Sequence, residues 1–317
     1  MNNKPGNREW HSIREYGSQT GIWLLLRAYA FGGRWLFIPC LLPVMLFFFL
    51  LRRDARRASL DYLQQVHRTD PSFPKPGLHH SFYHFWTFGL ALLDKFSVWM
   101  GKITRSDVTV HKTEIVDELI AKKVGGVILI SHLGNFEICH ALSQGRAGMR
   151  LTILHHSHHT EKFNTMLERY SGAAHVELVQ VTELDMSNAI AFSEKISRGE
   201  FIAIATDRVP ISNAGAIVPL SFLGREAQFP SGPFVLAMAL QAPILTLHCI
   251  KQSGRYNIYF DYLSRGESVS RRHRQQRLHA LMQDYITRLE NFCLQAPWQW
   301  FNFYPFWAST DQRDHSS

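Results

Sequence analysis

The chain has 317 residues, with 34 Lys and Arg against 26 Asp and Glu and a formal charge of +8. That length suits one large α/β domain with an extra segment better than two equal domains. Four scattered cysteines (Cys40, Cys139, Cys249, Cys293) make neither a disulfide framework nor a zinc spacing, so a reducing compartment is expected.

From the N-terminus the first feature is an uncharged run, Trp35 to Leu51, seventeen residues long and containing Pro39 and Pro43. Seventeen apolar residues reach the lower limit for crossing a bilayer, and the prolines predict kinks. A secretory signal fits poorly, because the run starts late and its positive cluster, Arg52-Arg53-Asp54-Ala55-Arg56-Arg57, follows it. Three readings stand: a short bitopic or re-entrant anchor, a helix lying in the interface, or an apolar core helix. In both membrane readings the cluster faces anionic cytoplasmic lipid, which puts the rest of the chain on the cytoplasmic side of the inner membrane. A helix over Ala55 to His67 and the linker Thr69 to Gly77 follow, so residues 1–68 are expected to form the anchor and 69–317 the main body.

An aromatic-rich helix is predicted over Ser81 to Met100, its Phe82, Phe85, Trp86, Phe88 and Phe96 serving either as core or as the lining of an acyl slot. Strands are predicted at Val127–Ile130, Leu151–Leu154, Val176–Val181, Phe201–Ala205, Ile217–Phe222, Ile244–Ile250 and Tyr256–Tyr262. Helices fall between several of them, at Glu137–Leu142, Thr160–Tyr170, Met186–Ser197 and Pro233–Leu240, with a long last helix over Arg271–Gln295. This alternation predicts an α/β sandwich, a central mixed sheet flanked by helices, with the hydrophobic helix in front of it.

The segment Ile130-Ser131-His132-Leu133-Gly134-Asn135-Phe136-Glu137 carries the most chemistry. It places a histidine where a buried strand turns into a helix, the position at which α/β proteins gather reactive groups. Five residues of regular helix turn through roughly 500°, so His132 and Glu137 meet only if the histidine lies in the turn and the glutamate in the first helical turn. Gly134 permits the bend and Asn135 suits an N-cap. A neutral imidazole accepts a proton from an attacking hydroxyl, and a carboxylate behind it fixes the tautomer. The plain alternative, a structural strand-end histidine beside an unrelated glutamate, stays open on spacing alone.

Two later segments have the same placement. Thr206-Asp207-Arg208 leaves the strand Phe201–Ala205, where a carboxylate and a guanidinium suit the orienting of a polar headgroup or of a catalytic side chain, or else a plain surface ion pair. Phe229-Pro230-Ser231-Gly232-Pro233 joins a turn to an apolar helix, either as an anion-binding N-terminus or as simple Pro-Gly punctuation. The run His155-His156-Ser157-His158-His159 lacks a ligand set with metal spacing, so no metal is expected. A second basic cluster, Arg271 to Arg277, reads as a solvated face or as a surface for anionic membrane or an acidic carrier protein. Nucleic acid is not expected: no recognised motif is present and the basic residues are not interleaved with a stacking platform.

Taken together, His132-Leu133-Gly134-Asn135-Phe136-Glu137, Thr206-Asp207-Arg208, Phe222-Leu223-Gly224-Arg225 with Phe229-Pro230-Ser231-Gly232-Pro233, and Ala296-Pro297-Trp298-Gln299-Trp300-Phe301 resemble the lysophospholipid acyltransferase superfamily. Within it they are similar to the lipid A biosynthesis (lauroyl/myristoyl) acyltransferase branch, and the N-terminal run looks like that family's membrane anchor. The resemblance implies a membrane-associated O-acyltransferase that moves a fatty acyl group from an acyl carrier protein or coenzyme A thioester to a lipid hydroxyl. His132 would be the general base and Glu137 its orienting carboxylate, with Asn135, Asp207, Arg208, Phe229 and Gly232 on the substrate side and no cofactor. The branch commonly carries a Tyr-Arg-Pro-like stretch where this chain reads Leu154-His155-His156-Ser157-His158, and glycerolipid relatives carry Phe-Pro-Glu-Gly-Thr where it reads Phe229-Pro230-Ser231-Gly232-Pro233. These departures speak against a phosphorylated glucosamine and against glycerol 3-phosphate as acceptor and leave its identity open, with another lipid or a secondary-metabolite lipid such as an aryl polyene conjugate as candidates. Other chemistries at the same site are ester or thioester hydrolysis, for which no Gly-x-Ser-x-Gly elbow is present, and a non-enzymatic anchored scaffold that binds lipid or carrier protein.

Overall fold

The computed structural model describes residues 19–136, 138–139, 149–155, 176–180, 186–208 and 217–307. The chain opens with three helices, α1 (Gln19–Leu51), α2 (Arg53–Thr69) and α3 (Leu78–Trp99). α1 passes through both Pro39 and Pro43 and breaks its helical geometry instead at Gly33 (φ 59°, ψ −150°). The break falls at a glycine because only glycine adopts that backbone at little cost. The segment Gly32–Leu51 is long and apolar enough to cross a membrane, and Trp35 is 92% exposed on it. On α2, Ala55, Ala58, Ser59, Tyr62, Leu63 and Val66 are buried, a stripe at helical spacing that faces inward.

After α3 come β1 (Val108–His111), α4 (Thr113–Ala121), β2 (Gly126–Ile130), β3 (Leu151–His155), β4 (Val176–Gln180), α5 (Met186–Ser197) and β5 (Phe201–Ala205). The second part of the domain holds β6 (Ile217–Phe222), β7 (Arg225–Pro230), α6 (Gly232–Ala239), β8 (Ile244–Gln252), β9 (Arg255–Ser264) and α7 (Arg274–Gln295). Seven strands form one sheet in the order β1-β9-β8-β2-β5-β3-β4. β8, β2, β5, β3 and β4 run parallel, while β9 is antiparallel to β8 and parallel to β1, so the sheet is mixed as expected.

The sheet is central because β2 and β5 are buried on both faces. Alternate residues of β2 serve the two sides: Val127 and Leu129 pack with Tyr62, Phe234, Met282 and Ile286, and Ile128 and Ile130 pack with Val116, Leu119 and Leu245. A smaller cluster of Tyr29, Phe37, Leu41, Met45, Phe85 and Leu93 joins α1 to α3. Of the aromatic residues on α3, Phe85 is core, and Trp86 and Phe88 pack against this cluster.

Three elements escaped the sequence pattern. β1 and α4 are short, and β7 read as a turn. β7 instead pairs with β6 as an antiparallel hairpin through Leu223 and Gly224, both at positive φ, the geometry of a two-residue hairpin turn. Glu137 and most of the predicted helix Glu137–Leu142, the predicted helix Thr160–Tyr170, and His156 to His159 lie outside the described residues.

Candidate active site

β2 and β5 are neighbours in parallel register, with Ile130 opposite Ala205. The chain therefore leaves both strands at the same edge of the sheet. The backbone N–H of Thr206 donates to the Ile130 carbonyl at 3.0 Å and its hydroxyl does so at 3.1 Å, which extends the pairing by one residue. One position further, His132 and Asp207 meet. The His132 backbone N–H donates to Asp207 Oδ2 at 2.8 Å, and His132 Nδ1 lies 2.7 Å from Asp207 Oδ1.

Asp207 is fully buried and its carboxylate has a further donor, the indole N–H of Trp300, 3.0 Å from Oδ2. Burial pushes this carboxyl up, but the charge of His132, its two hydrogen bonds and the nearby Arg208 outweigh burial and bring it down to about 2. The carboxylate is thus ionised at neutral pH and accepts only. Nδ1 of His132 must carry the proton it shares with Asp207, which leaves Nε2 as the unprotonated nitrogen of the neutral ring. The His132 side chain is 32% exposed, so reactants can reach that nitrogen.

The turn that carries His132 is fixed by backbone contacts from two directions. Gly134 N–H donates to the Gln299 carbonyl at 2.7 Å, Asn135 N–H to the Cys249 carbonyl at 3.0 Å, and Phe301 N–H to the His132 carbonyl at 3.0 Å. Gly134 sits at φ +72°, and a Cβ there would lie 1.7 Å from the Cys249 carbonyl oxygen. Glycine is required both for the bend and for this approach. The C-terminal segment after α7 completes the shell. Asn302 Nδ2 and the Tyr304 hydroxyl donate to the Asp207 carbonyl at 3.5 and 3.1 Å.

The residues singled out from sequence separate in the structure. His132 and Asp207 come together directly, so of the two roles open to Asp207, a polar headgroup or a catalytic side chain, its contact is with a side chain rather than with the substrate side that the family resemblance implied. Arg208 is exposed beside them, donates to the Phe301 carbonyl at 3.2 Å and lies over the Tyr304 ring. Asn135 is buried, and its amide donates to the Ala91 carbonyl of α3 at 2.9 Å, which ties the turn to that helix. Phe229 is fully buried, edge-on to Phe222 and Phe306, and Gly232 opens α6 after Ser231. Glu137, expected to orient His132, lies outside the described residues; the carboxylate on Nδ1 is Asp207. Sequence reasoning missed Trp300, Asn302 and Tyr304 as partners of Asp207. Trp300 has a signal in the terminal block Ala296 to Phe301 that carries the family resemblance, without a partner attached to it; for Asn302 and Tyr304 the signal is an aromatic and amide-rich tail after the last helix.

An imidazole held by a buried carboxylate, in the crevice beyond the carboxyl ends of parallel strands, is the arrangement of a general base for a hydroxyl or water. The model of the bacterial lipid A biosynthesis acyltransferase family matches residues 83–309, and the chain belongs to that family. It is an acyltransferase, working between an acyl donor and a lipid acceptor. A search of curated proteins found no match.

Proposed function

We propose that the protein transfers a fatty acyl group from a thioester of acyl carrier protein or coenzyme A to the hydroxyl of a membrane lipid, with His132 as general base. The contact between His132 Nδ1 and the Asp207 carboxylate carries this reading, because it leaves Nε2 free to take a proton. Nε2 removes the proton of the lipid hydroxyl as its oxygen attacks the thioester carbonyl carbon. The carbon–sulfur bond breaks, the sulfur leaves as a thiol carrying that proton from the imidazolium, and an ester remains. Asp207 stays ionised throughout and stabilises the imidazolium. We assign it the orienting role first expected of Glu137, since one Nδ1–H has one short acceptor.

Arg208, exposed beside the pair, suits an anionic group on either substrate. The apolar segment Gly32–Leu51, followed by the cationic Arg52, Arg53, Arg56 and Arg57, supports attachment to the inner membrane with the catalytic domain on its cytoplasmic side.

The test uses the full chain in detergent micelles with dodecanoyl-carrier protein or dodecanoyl-coenzyme A and a total lipid extract of the producing cells. Thiol release and the acylated products, by mass spectrometry, are both read. An acylated lipid that vanishes in His132→Ala supports the proposal. Free dodecanoic acid formed equally with and without lipid would replace transfer by hydrolysis, and full activity in His132→Ala would remove His132 from the mechanism.

A further inference from the structure

The C-terminal segment supplies more than packing to the site. Trp300 is fully buried, surrounded by Tyr62, Phe222, Phe306 and Trp307 with ring centroids 4.8 to 6.2 Å away. Its backbone bridges Leu133 in the His132 turn, and its indole N–H is spent on Asp207 Oδ2. Among the described residues Oδ2 therefore has two donors, this indole and the His132 backbone N–H, and Oδ1 has one, His132 Nδ1. The carbonyl of Trp300 is held in turn by a buried chain from the N-terminal helices. Ser81 Oγ on α3 donates to Ser59 Oγ on α2 at 2.9 Å, Ser59 lies 3.1 Å from His84 Nδ1, and His84 Nε2 lies 3.0 Å from the Trp300 carbonyl. The proton directions agree along this chain: Ser81 to Ser59, Ser59 to Nδ1, and the Nε2–H to the carbonyl. Burial keeps the His84 imidazole neutral, with its pKa pushed down to about 3, so this single tautomer persists through the physiological range.

We infer that Trp300 is a positioning residue, which by donating to Oδ2 aims Oδ1 at His132 and limits how strongly Asp207 attracts the imidazolium. This rests on the reading of His132 as the base. The physical reason is that an indole donor stabilises the carboxylate and thereby reduces its basicity toward the other donor. Without it, Asp207 is free to rotate and holds a protonated His132 more tightly. Among the described residues, the other titratable groups that act on Asp207 are Arg208 next to it, Tyr285 and Cys293 on α7, His248 on β8 and Tyr304 on the tail, and Trp300→Phe leaves each of these side chains in place.

The test compares wild type, Trp300→Phe, Asp207→Asn and the double variant as full chains in detergent micelles. The readout is carbethoxylation of His132 by diethylpyrocarbonate, followed by peptide mass spectrometry across pH, and it needs no substrate. Trp300→Phe keeps the ring and is expected to move the labelling midpoint up by about half a pH unit, with thioester turnover down about 10-fold. In the Asp207→Asn background the same change is expected to move neither quantity, because the indole acts only through the carboxylate. An equal shift in both backgrounds, or none in either, overturns the inference. Should Trp300→Phe fail to fold, the indole 15N–1H signal of Trp300 in labelled wild-type protein decides. It must titrate together with His132 and stop doing so in His132→Ala; an indole signal indifferent to His132 overturns the inference. Activity retained in His132→Ala is a separate outcome, which removes the underlying mechanism rather than the contact.

Discussion

Asp207 accepts the Nδ1 proton of His132 because each residue stands two positions past a register pair, Ile130 and Ala205, in adjacent parallel strands. The two are 75 residues apart in sequence. Their contact is a property of strand order: β5 is inserted beside β2, between it and β3, and runs parallel to both, so β2 and β5 open into one crevice. Burial of the carboxylate then makes the contact directional. Asp207 has no solvent to turn toward, and among the described residues three protein donors fix both of its oxygens.

Asp207→Asn should abolish most of the activity while leaving the fold intact. Two donors point at the Oδ2 position, so the amide oxygen takes that place and the amide nitrogen faces His132 Nδ1. Nδ1 then becomes the acceptor, the proton moves to Nε2, and the base is lost. Turnover in the thioester assay should fall by roughly 10²–10⁴-fold. If Glu137→Gln costs that much and Asp207→Asn costs little, the orienting role belongs to Glu137.

Gly134→Ala should destabilise the protein by at least about 2 kcal/mol, from the positive φ and from overlap with a backbone atom that cannot rotate away. The added Cβ meets the Cys249 carbonyl, the acceptor for the neighbouring Asn135 N–H, so the turn that holds His132 must shift. Thermal unfolding in detergent and thioester turnover should decline together; a variant as stable and active as wild type contradicts this account of the turn.

Acid should weaken the fold well above the range in which carboxylates titrate. His84 and His248 are buried, and burial holds both near 3, against 6.5 in the unfolded chain. The unfolded state takes up protons first, so stability is fullest above pH 6.5 and is lost as pH falls toward 3. At pH 5 the loss is about 2 kcal/mol for each histidine. His248 stacks on Phe292 with centroids 4.4 Å apart, and neither ring nitrogen has a hydrogen-bond partner among the described residues. His248→Phe should therefore be more stable than wild type at pH 5 and flatten the pH dependence measured by thermal unfolding. A steeper dependence in the variant would contradict this.

Asp94→Asn should loosen the N-terminal helix from the catalytic body. Asp94 on α3 is buried and receives Arg34 of α1 at 2.8 Å, Lys251 of β8 at 2.6 Å and the Tyr256 hydroxyl of β9 at 2.6 Å. Removing its charge leaves two cations uncompensated; both are partly exposed, so the cost should be about 1–3 kcal/mol. Trypsin cleavage after Arg34 should become faster in the variant, and an unchanged cleavage rate would count against a clamping role.

Much of this protein is legible without coordinates. The apolar runs of β2, β5 and β8 announce strands, the stretch Ala55 to His67 announces a helix, and the histidine after β2 marks a strand exit where chemistry collects. These are local consequences of side-chain periodicity, and periodicity survives in one dimension. β7 and β1 were not legible: β7 ends in a Pro-Ser-Gly-Pro string that reads as a turn, and β1 is four residues long on the sheet edge.

The partner of His132 was not legible either. Sequence proximity favours Glu137, five residues away, while the carboxylate that holds Nδ1 is reached only through the register of β2 against β5. Trp300 lies further still, and nothing about an indole in an aromatic tail says that its N–H ends on a buried carboxylate. Residue types and their periodicity along the chain say which side chains can carry a proton and which stretches must be buried. Tertiary structure decided which carboxylate faces the histidine, because that choice depends on strand order, and strand order follows from how whole faces are buried rather than from any local pattern.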